Sequence, residues 1–254
     1  MHPIAIDALL ACVAFLAGAI NSIAGGGSFL TFPALILAGV PPITANATNN
    51  AAMFVGTFGS IRGYREELRA YRRAILPGVI VSLLGGTAGA ILLLHTPASI
   101  FERMIPWLLL FAIVVFTLSP YLTRKVEPHD GGHLHTPWQL ALQFVTAIYG
   151  GYFGAGIGYL MLAILSFSGL PNMNAMNGVK NLMGSCINGI ALIPFVLAGV
   201  VDWKFAVLMA IFAILGGYAG ARVVRKIPHR STRAAVIVLG FGMTAYFFLK
   251  GPHG

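Results

Sequence analysis

Charged side chains are scarce in this sequence, and their scarcity decides the class of protein first. Only 9% of the 254 residues are charged, whereas 57% are hydrophobic and the mean hydropathy is +0.84. A soluble domain carries roughly 25% charged residues, which cover an apolar interior. This chain has too few polar residues to do so, and we predict an integral, polytopic membrane protein.

Cysteine and buried carboxylates are also nearly absent. Cys12 and Cys186 both fall in apolar segments, which gives no disulfide framework and no metal-ligand spacing. Asp7, Glu102 and Asp202 lie at segment ends, and no Asp, Glu or His lies in the middle of an apolar segment. The usual proton relay and the acid–base groups of a membrane enzyme are therefore missing. We predict no enzymatic activity, no cofactor and no metal centre.

The positive charge of the chain does not indicate a nucleic-acid partner. The net charge is +9, but the cations lie in short loops between apolar runs, as in cytoplasmic loops of membrane proteins. The loop 62–73 carries five arginines, a second basic loop spans 222–233, and Arg124 and Lys125 lie in a polar linker. We expect these loops in the cytoplasm and both termini on the outer side of a cell inner membrane.

Ten apolar segments follow one another along the chain. They cover approximately 4–24, 28–39, 44–61, 74–94, 105–122, 138–155, 158–169, 174–199, 203–222 and 233–249. The segments 28–39 and 158–169 are shorter than the ~20 residues that a helix needs to span a bilayer. Each follows a glycine cluster and ends at a Gly-x-Pro, so we predict half-helices or re-entrant hairpins there.

The two halves of the chain repeat. At one constant offset along the chain, glycine, proline and alanine positions coincide: Gly26 with Gly156, Gly39 with Gly169, Pro41 with Pro171, Ala45 with Ala175, Gly59 with Gly189 and Gly86 with Gly216. The sequence predicts a first membrane repeat at 1–122, a polar linker at 123–137 and a second membrane repeat at 138–254. Five segments per repeat give the copies opposite orientation, a common architecture of secondary transporters. The predicted fold is therefore all-α, with two inverted repeats that each combine a glycine-broken hairpin with three transmembrane helices.

Polar residues cluster at the first glycine break and after the two Gly-x-Pro sequences. Helix N-termini favour anions, asparagine adds neutral donors, and Lys180 adds a full positive charge at the position that matches Asn50. We predict a substrate site from Asn21, Gly26, Gly27, Ser28, Asn46, Thr48, Asn49, Asn50, Gly156, Asn177, Lys180 and Asn181. Helix capping, snorkelling of Lys180 and close packing of the glycines remain as alternatives. The segment His129–His135 is interpreted as a solvated linker, with metal binding as the alternative.

These residues resemble the TauE/SafE sulfite exporters, also called the TSUP family, over essentially the whole chain. The resemblance lies in Ala24–Ser28 with Phe32–Leu35, in Gly39–Pro41 with Ala45 and Ala47–Asn49, and in the second-half counterparts Gly154–Gly158, Gly169–Pro171 and Ala175. It implies export of a small sulfur oxyanion or sulfonate, such as sulfite or sulfoacetate. Lys180 departs from the Ser, Thr and Asn polarity expected there, and we interpret it as a feature of this chain's own substrate preference.

The leading hypothesis is a secondary transporter in which one repeat rocks against the other around an anion held between the two hairpins. The anion would lie between Asn49 and Asn50 on one side and Asn177, Lys180 and Asn181 on the other. A coupling ion, H+ or Na+, and assembly into a homo-oligomer stay open. The alternatives are a membrane-embedded enzyme or assembly factor in sulfur metabolism and a channel-like anion pore.

Overall fold

The computed structural model describes residues 3–23, 26–123, 136–168, 170, 173–223 and 229–250. Gly25, Gly169, Pro171, the linker 124–135 with His129–His135, the basic stretch 224–228 and the chain ends lie outside the described residues. Within them the chain forms α-helices and no strand, which confirms the all-α prediction. The helices are α1 Pro3–Ile23, α2 Ser28–Leu37, α3 Pro42–Gly63, α4 Arg65–Ala70, α5 Arg72–His95, α6 Ala98–Thr123, α7 Pro137–Tyr152, α8 Ile157–Leu165, α9 Met173–Leu197, α10 Trp203–Val223 and α11 His229–Lys250.

The two short apolar segments form short helices that fold back on their predecessors. α2 has 10 residues and α8 has 9, so at about 1.5 Å per residue each covers roughly half of a ~30 Å hydrocarbon layer. α2 packs on α1, and α8 packs on α7. The turns pass through Gly26 and Gly156, whose φ angles are +88° and +74°, a region that glycine enters at little cost. Both halves therefore contain the predicted glycine-broken hairpin.

Two elements differ from the sequence-based expectation. The basic loop after α3 contains the short helix α4, because Leu68 packs with the buried residues around α9 and gives this segment an apolar anchor. Helix α6 begins at Ala98, directly after Pro97, and therefore includes Glu102 and Arg103, which hydropathy alone places in a connection. Both differences lie at segment ends, where hydropathy is least informative.

Eight of the helices pack as two interlocked bundles, and each bundle combines both halves of the sequence, while α6 and α11 pack on each other. We call α1, α2, α3 and α10 the first bundle, and α5, α7, α8 and α9 the second bundle. The offset of the sequence repeat carries α1, α2, α3 and α5 onto α7, α8, α9 and α10, so the second bundle is the first with the halves exchanged. The bundles meet where α3 lies on α9. This is the packing expected of a duplicated chain; the opposite orientation of the copies stays a prediction.

Glycines allow close helix crossings in both bundles. Between α1 and α10, a Cβ atom on Gly18 or Gly216 would collide with the main chain of Ala213 or Phe15. Between α5 and α7, the position of a Cβ atom on Gly89 falls on the main-chain oxygen of Ile148. Small residues permit such approaches in membranes, where helix association depends on van der Waals packing. Part of the glycine content therefore serves packing.

The apolar surface and the helix lengths agree with a multi-pass membrane protein. Within the described residues, four helices are long and apolar enough to cross a bilayer, at Ile4–Asn21, Arg72–His95, Ala98–Leu118 and Ala175–Leu197. Large apolar side chains are exposed on the outside of the bundles, among them Trp107, Val145 and Val238. An exposed surface of this kind suits lipid chains and not water.

Candidate functional site

Two polar side chains near the start of α3 bond to distant elements. The amide nitrogen of Asn46 donates to the main-chain oxygen of Tyr152 at the end of α7, 3.0 Å away. The hydroxyl of Thr48 accepts a hydrogen bond from the main-chain N–H of Asp202, just before α10, at 3.0 Å. Both side chains are buried. They connect α3 to other helices, which is a tertiary role beyond the capping that we considered as an alternative.

The next two residues of α3 face the hairpin and the second bundle. The hydroxyl of Thr31 on α2 donates to the side-chain oxygen of Asn49. The amide nitrogen of Asn50 donates to the side-chain oxygen of Asn188 on α9, at a long 3.5 Å. The side-chain oxygen of Asn50 is buried and has no hydrogen-bond partner among the described residues. An unmet buried acceptor costs about 1–3 kcal/mol, so this oxygen needs an explanation.

A small cavity lies at the contact between the two bundles. It measures about 20 Å³, close to the space of one water molecule. The lining residues come from α2, α3, the turn after α7, and α9: Ser28, Asn49, Asn50, Met53, Phe153, Gly154 and Asn188. Among the predicted site residues, the structure thus brings Ser28, Asn49 and Asn50 together.

Lys180 and Asn177 lie at a separate place on α9. The ammonium group of Lys180 donates to the side-chain oxygen of Asn177, 3.1 Å away, and both side chains are half-buried. The lysine stem passes the first turn of α8, where a Cβ atom on Gly158 would lie 3.4 Å from Cδ of Lys180. Within the described residues, the salt bridge found joins Lys204 to Asp7, and no carboxylate pairs with Lys180. Lys180 is therefore a cation with a neutral partner.

The other predicted residues lie at the turns of the hairpins, except Asn181, which lies on α9. Asn21 is half-buried near the end of α1, and Asn181 is half-buried beside Lys180. Gly26 and Gly156 are the turn residues with positive φ. A Cβ atom on Gly27 would lie 2.7 Å from the main-chain oxygen of Ala17, so this glycine serves close packing between α2 and α1. The structure does not place these residues along the small cavity.

Asn188 was missed by the sequence analysis although it lines the cavity. It lies in the middle of an apolar segment, and the offset of the sequence repeat pairs it with Phe58. The repeat pattern therefore gave no signal for it. A lone amide deep in a membrane segment is itself a signal, because an unsatisfied polar group is costly in hydrocarbon.

Comparisons with known proteins show the family of this chain. The family described as "Sulfite exporter TauE/SafE" matches residues 10–247. A probable membrane transporter protein, ORF9, from Sinorhizobium sp is 32% identical over 97% of this chain and 94% of its own length. One from Haemophilus influenzae is 32% identical over 94% and 92% of the two chains, and YfcA from Escherichia coli is 29% identical over 95% and 89%. No solved structure matches significantly. The chain belongs to the TauE/SafE sulfite exporter family of membrane transporters.

Proposed function

We propose that this chain is a secondary transporter that exports a small sulfur-containing anion, sulfite or an organosulfonate such as sulfoacetate, across the cell inner membrane. The family description names sulfite export, whereas the names of the relatives specify membrane transport alone. The basic loops face the cytoplasm in this proposal, and the two halves have opposite orientation. The observation that carries the anionic substrate is the half-buried Lys180 with its neutral partner.

Lys180 favours an anion for two physical reasons. A lysine inside a membrane segment is costly unless a negative group or water balances its charge. The lysine stem also lies beside the first turn of α8, and the N-terminus of a helix carries a positive partial charge. The alternative is snorkelling, in which the lysine side chain extends toward the start of α9 and places its charge at the membrane surface. Its bond to Asn177, one turn nearer the start of α9, is compatible with that direction. A substrate assay separates the two, because a snorkelling lysine would not select among anions.

The two interlocked bundles are the moving units of the proposed transporter. The first and second bundles touch through α3 and α9, and Asn49 and Asn50 face that contact from the first bundle. A cavity of about 20 Å³ is smaller than a sulfur oxyanion, so the bundles separate for substrate to enter. We infer that alternating access moves one interlocked bundle against the other, so that each moving unit contains helices from both repeats.

The decisive experiment is flux into proteoliposomes that contain the purified protein. We expect transport of sulfite or sulfoacetate and little transport of chloride. Lys180→Met should reduce the flux of a dianion at least ~10-fold and that of a monoanion less, because the charge interaction scales with substrate charge. Lys204→Met is the matched control, since this lysine lies on the surface and pairs with Asp7. Absence of flux for every sulfur anion would overturn the proposal.

A further inference from the structure

The unpartnered oxygen of Asn50 points to a ligand at the contact between the bundles. Asn50 lines the cavity and is only 8% exposed, and its side-chain oxygen has no hydrogen-bond partner among the described residues. The oxygen of Asn188 is weakly engaged, because the amide of Asn50 reaches it at 3.5 Å. Ser28, with its hydroxyl group, belongs to the same lining. Three neutral oxygen-bearing side chains therefore converge on one small volume.

The main chain beside the cavity also favours positive charge. α7 ends at Tyr152, and the lining residues Phe153 and Gly154 follow directly. The carbonyl groups at a helix C-terminus carry negative partial charge, which favours a cation nearby even where a carbonyl, as at Tyr152, already accepts a hydrogen bond. Gly154 has a φ angle of +78°, so the chain leaves the helix there. In other transporters built from inverted repeats, carbonyl groups at breaks in helices bind Na+.

The opposite wall of the cavity favours negative charge, and charge alone therefore does not distinguish an anion from a cation. The size of the cavity decides between them. Ser28 begins α2, and a helix N-terminus is positive. While the bundles are in contact, as they are in this structure, a volume of about 20 Å³ holds one water-sized particle and excludes an anion with several heavy atoms, which needs the separated bundles. The open acceptor oxygen of Asn50 requires a donor or a cation, and an oxyanion supplies neither. A small cation satisfies both observations.

The charge of the cation follows from the ligands. All seven carboxylates of the chain, at Asp7, Glu66, Glu67, Glu102, Glu127, Asp130 and Asp202, lie outside the segment 26–54 and the segment 150–190 that supply the cavity. Hard divalent cations depend on carboxylate ligands, whereas neutral oxygens alone suit a monovalent ion. Among the described residues that line the cavity, none has a side chain that would carry a proton near neutral pH.

The repeat relates this cavity to the surroundings of Lys180. Its offset pairs Asn50 with Lys180 and Ser28 with Gly158. Asn50 and Ser28 line one cavity, and the stem of Lys180 lies against Gly158. The matched positions thus carry a neutral oxygen in one half and an ammonium group in the other. A bound cation near Asn50 would give both halves a positive charge at equivalent places.

We propose that Na+ binds at the contact between the two bundles, with the side-chain oxygens of Asn50, Asn188 and Ser28 as ligands, and that it is the coupling ion of transport. At the matched position in the second half, the ammonium group of Lys180 supplies the positive charge that the ion supplies near Asn50. The coupling role rests on the proposed transport of an anion, whereas the Na+ site does not.

Na+ binding is tested on the purified protein without any sulfur anion. Thermal unfolding is compared in NaCl, KCl and choline chloride at equal concentration, so that chloride stays constant. A ligand that binds only the folded protein raises the Tm. We expect a saturable, Na+-specific rise of about 3 °C or more for a chain of this size. No Na+-specific rise would overturn the proposal.

Variants of Asn50 connect the effect to the cavity. Asn50→Ala should abolish the Na+-specific rise, and Asn50→Asp should lower the half-maximal Na+ concentration about 10-fold, because a carboxylate binds a cation more strongly. Ser82→Ala is the control: Ser82 is buried and accepts a 2.9 Å hydrogen bond from Gln143, away from the cavity. This control should lower the Tm and keep the rise. An unchanged rise in Asn50→Ala, or an unchanged Na+ midpoint in Asn50→Asp, would contradict the site.

Coupling is tested separately in proteoliposomes. Flux of the sulfur anion should depend on Na+ in the wild type and should not respond to Na+ in Asn50→Ala. Equal flux in sodium and choline salts would overturn the coupling role. No flux in either salt is the failure of the proposed function instead, and the unfolding experiment reports on the Na+ site in that case as well.

Discussion

Asn46 and Tyr152 join the two interlocked bundles through one buried hydrogen bond. The amide nitrogen of Asn46 on α3 lies 3.0 Å from the main-chain oxygen of Tyr152, the last residue of α7, although 106 residues separate them in sequence. Asn46 is 3% exposed. The free carbonyl at the end of α7 is therefore satisfied by a side chain from the other bundle, and the end of the helix is fixed beside the small cavity.

Removing this amide should destabilise the protein measurably. Asn46→Ala deletes the donor and leaves the carbonyl of Tyr152 buried, which costs about 1–3 kcal/mol of unfolding free energy. The measurement is chemical denaturation in detergent, followed by circular dichroism. Thr87→Ala is the control, since its hydroxyl bonds to Leu83 within its own helix. A loss no larger than that of the control would show that the bond between the bundles contributes little.

Glycines at the helix crossings should tolerate no added methyl group. Gly216→Ala and Gly89→Ala each bring a Cβ atom into the main chain of the neighbouring helix, and we expect about 1–3 kcal/mol of destabilisation or lost expression. Gly184→Ala is the matched control on α9, because nothing lies within 4 Å of its Cβ position. Alanine there should raise stability by up to about 1 kcal/mol through helix propensity. Thermal unfolding of the three variants measures these differences.

Cross-linking should distinguish motion within a bundle from motion between bundles. The side chains of Asp7 and Lys204 lie 2.8 Å apart and join α1 to α10 in the first bundle. The hydroxyls of Thr57 and Ser185 lie 2.7 Å apart and join α3 to α9 across the bundles. We expect a carbodiimide bond between Asp7 and Lys204 to preserve anion flux. A disulfide between Thr57→Cys and Ser185→Cys should block it, and reduction should restore it.

Loss of flux with both cross-links would support rocking of the sequence repeats instead, because α1 and α3 belong to the first repeat, and α9 and α10 belong to the second. In that case the link between α1 and α10 joins the two moving units and stops transport. Cross-link formation is checked by mass spectrometry before each flux measurement, so that the cross-linked fraction of the protein is known for every sample. The unlinked double cysteine variant is the control for the substitutions themselves.

The thiol in the second half of the chain should be dispensable. We propose that the protein is not an enzyme, and Cys186→Ala tests that proposal because Cys186 is the thiol on α9 nearest the contact with α3. Anion flux should stay within about 2-fold of the wild type, since a half-buried free cysteine behaves as a small hydrophobic side chain. Loss of flux with a normal unfolding temperature would support chemistry at the thiol.

The sequence predicted the hairpins because glycine and proline report backbone geometry directly. Gly26 and Gly156 are matched by the repeat, and both adopt positive φ angles. The clustering of Ser28, Asn49 and Asn50 followed from the same argument, since α2 and α3 start from adjacent breaks. Local geometry of this kind is encoded by single residue types, so one sequence is enough to read it.

The pairing of helices could not be predicted in the same way. Hydropathy identifies a membrane helix but contains no information about its neighbour, and the exchange of α5 and α10 between the bundles was not foreseen. Asn188 was missed for a related reason, because its meaning depends on the approach of Asn50 from another helix. The short helix α4 depends likewise on the contact of Leu68 with the region around α9.

The pairing of α1 with α10 bears on how the protein is made. Helix α1 is synthesised long before its partner α10, since Asp7 and Lys204 are 197 positions apart. α5 and α7 are closer in the chain, so the second bundle is able to begin its assembly while translation continues. The order of synthesis therefore differs from the symmetry of the finished molecule, and a chain truncated before α10 would lack the partner that completes the first bundle.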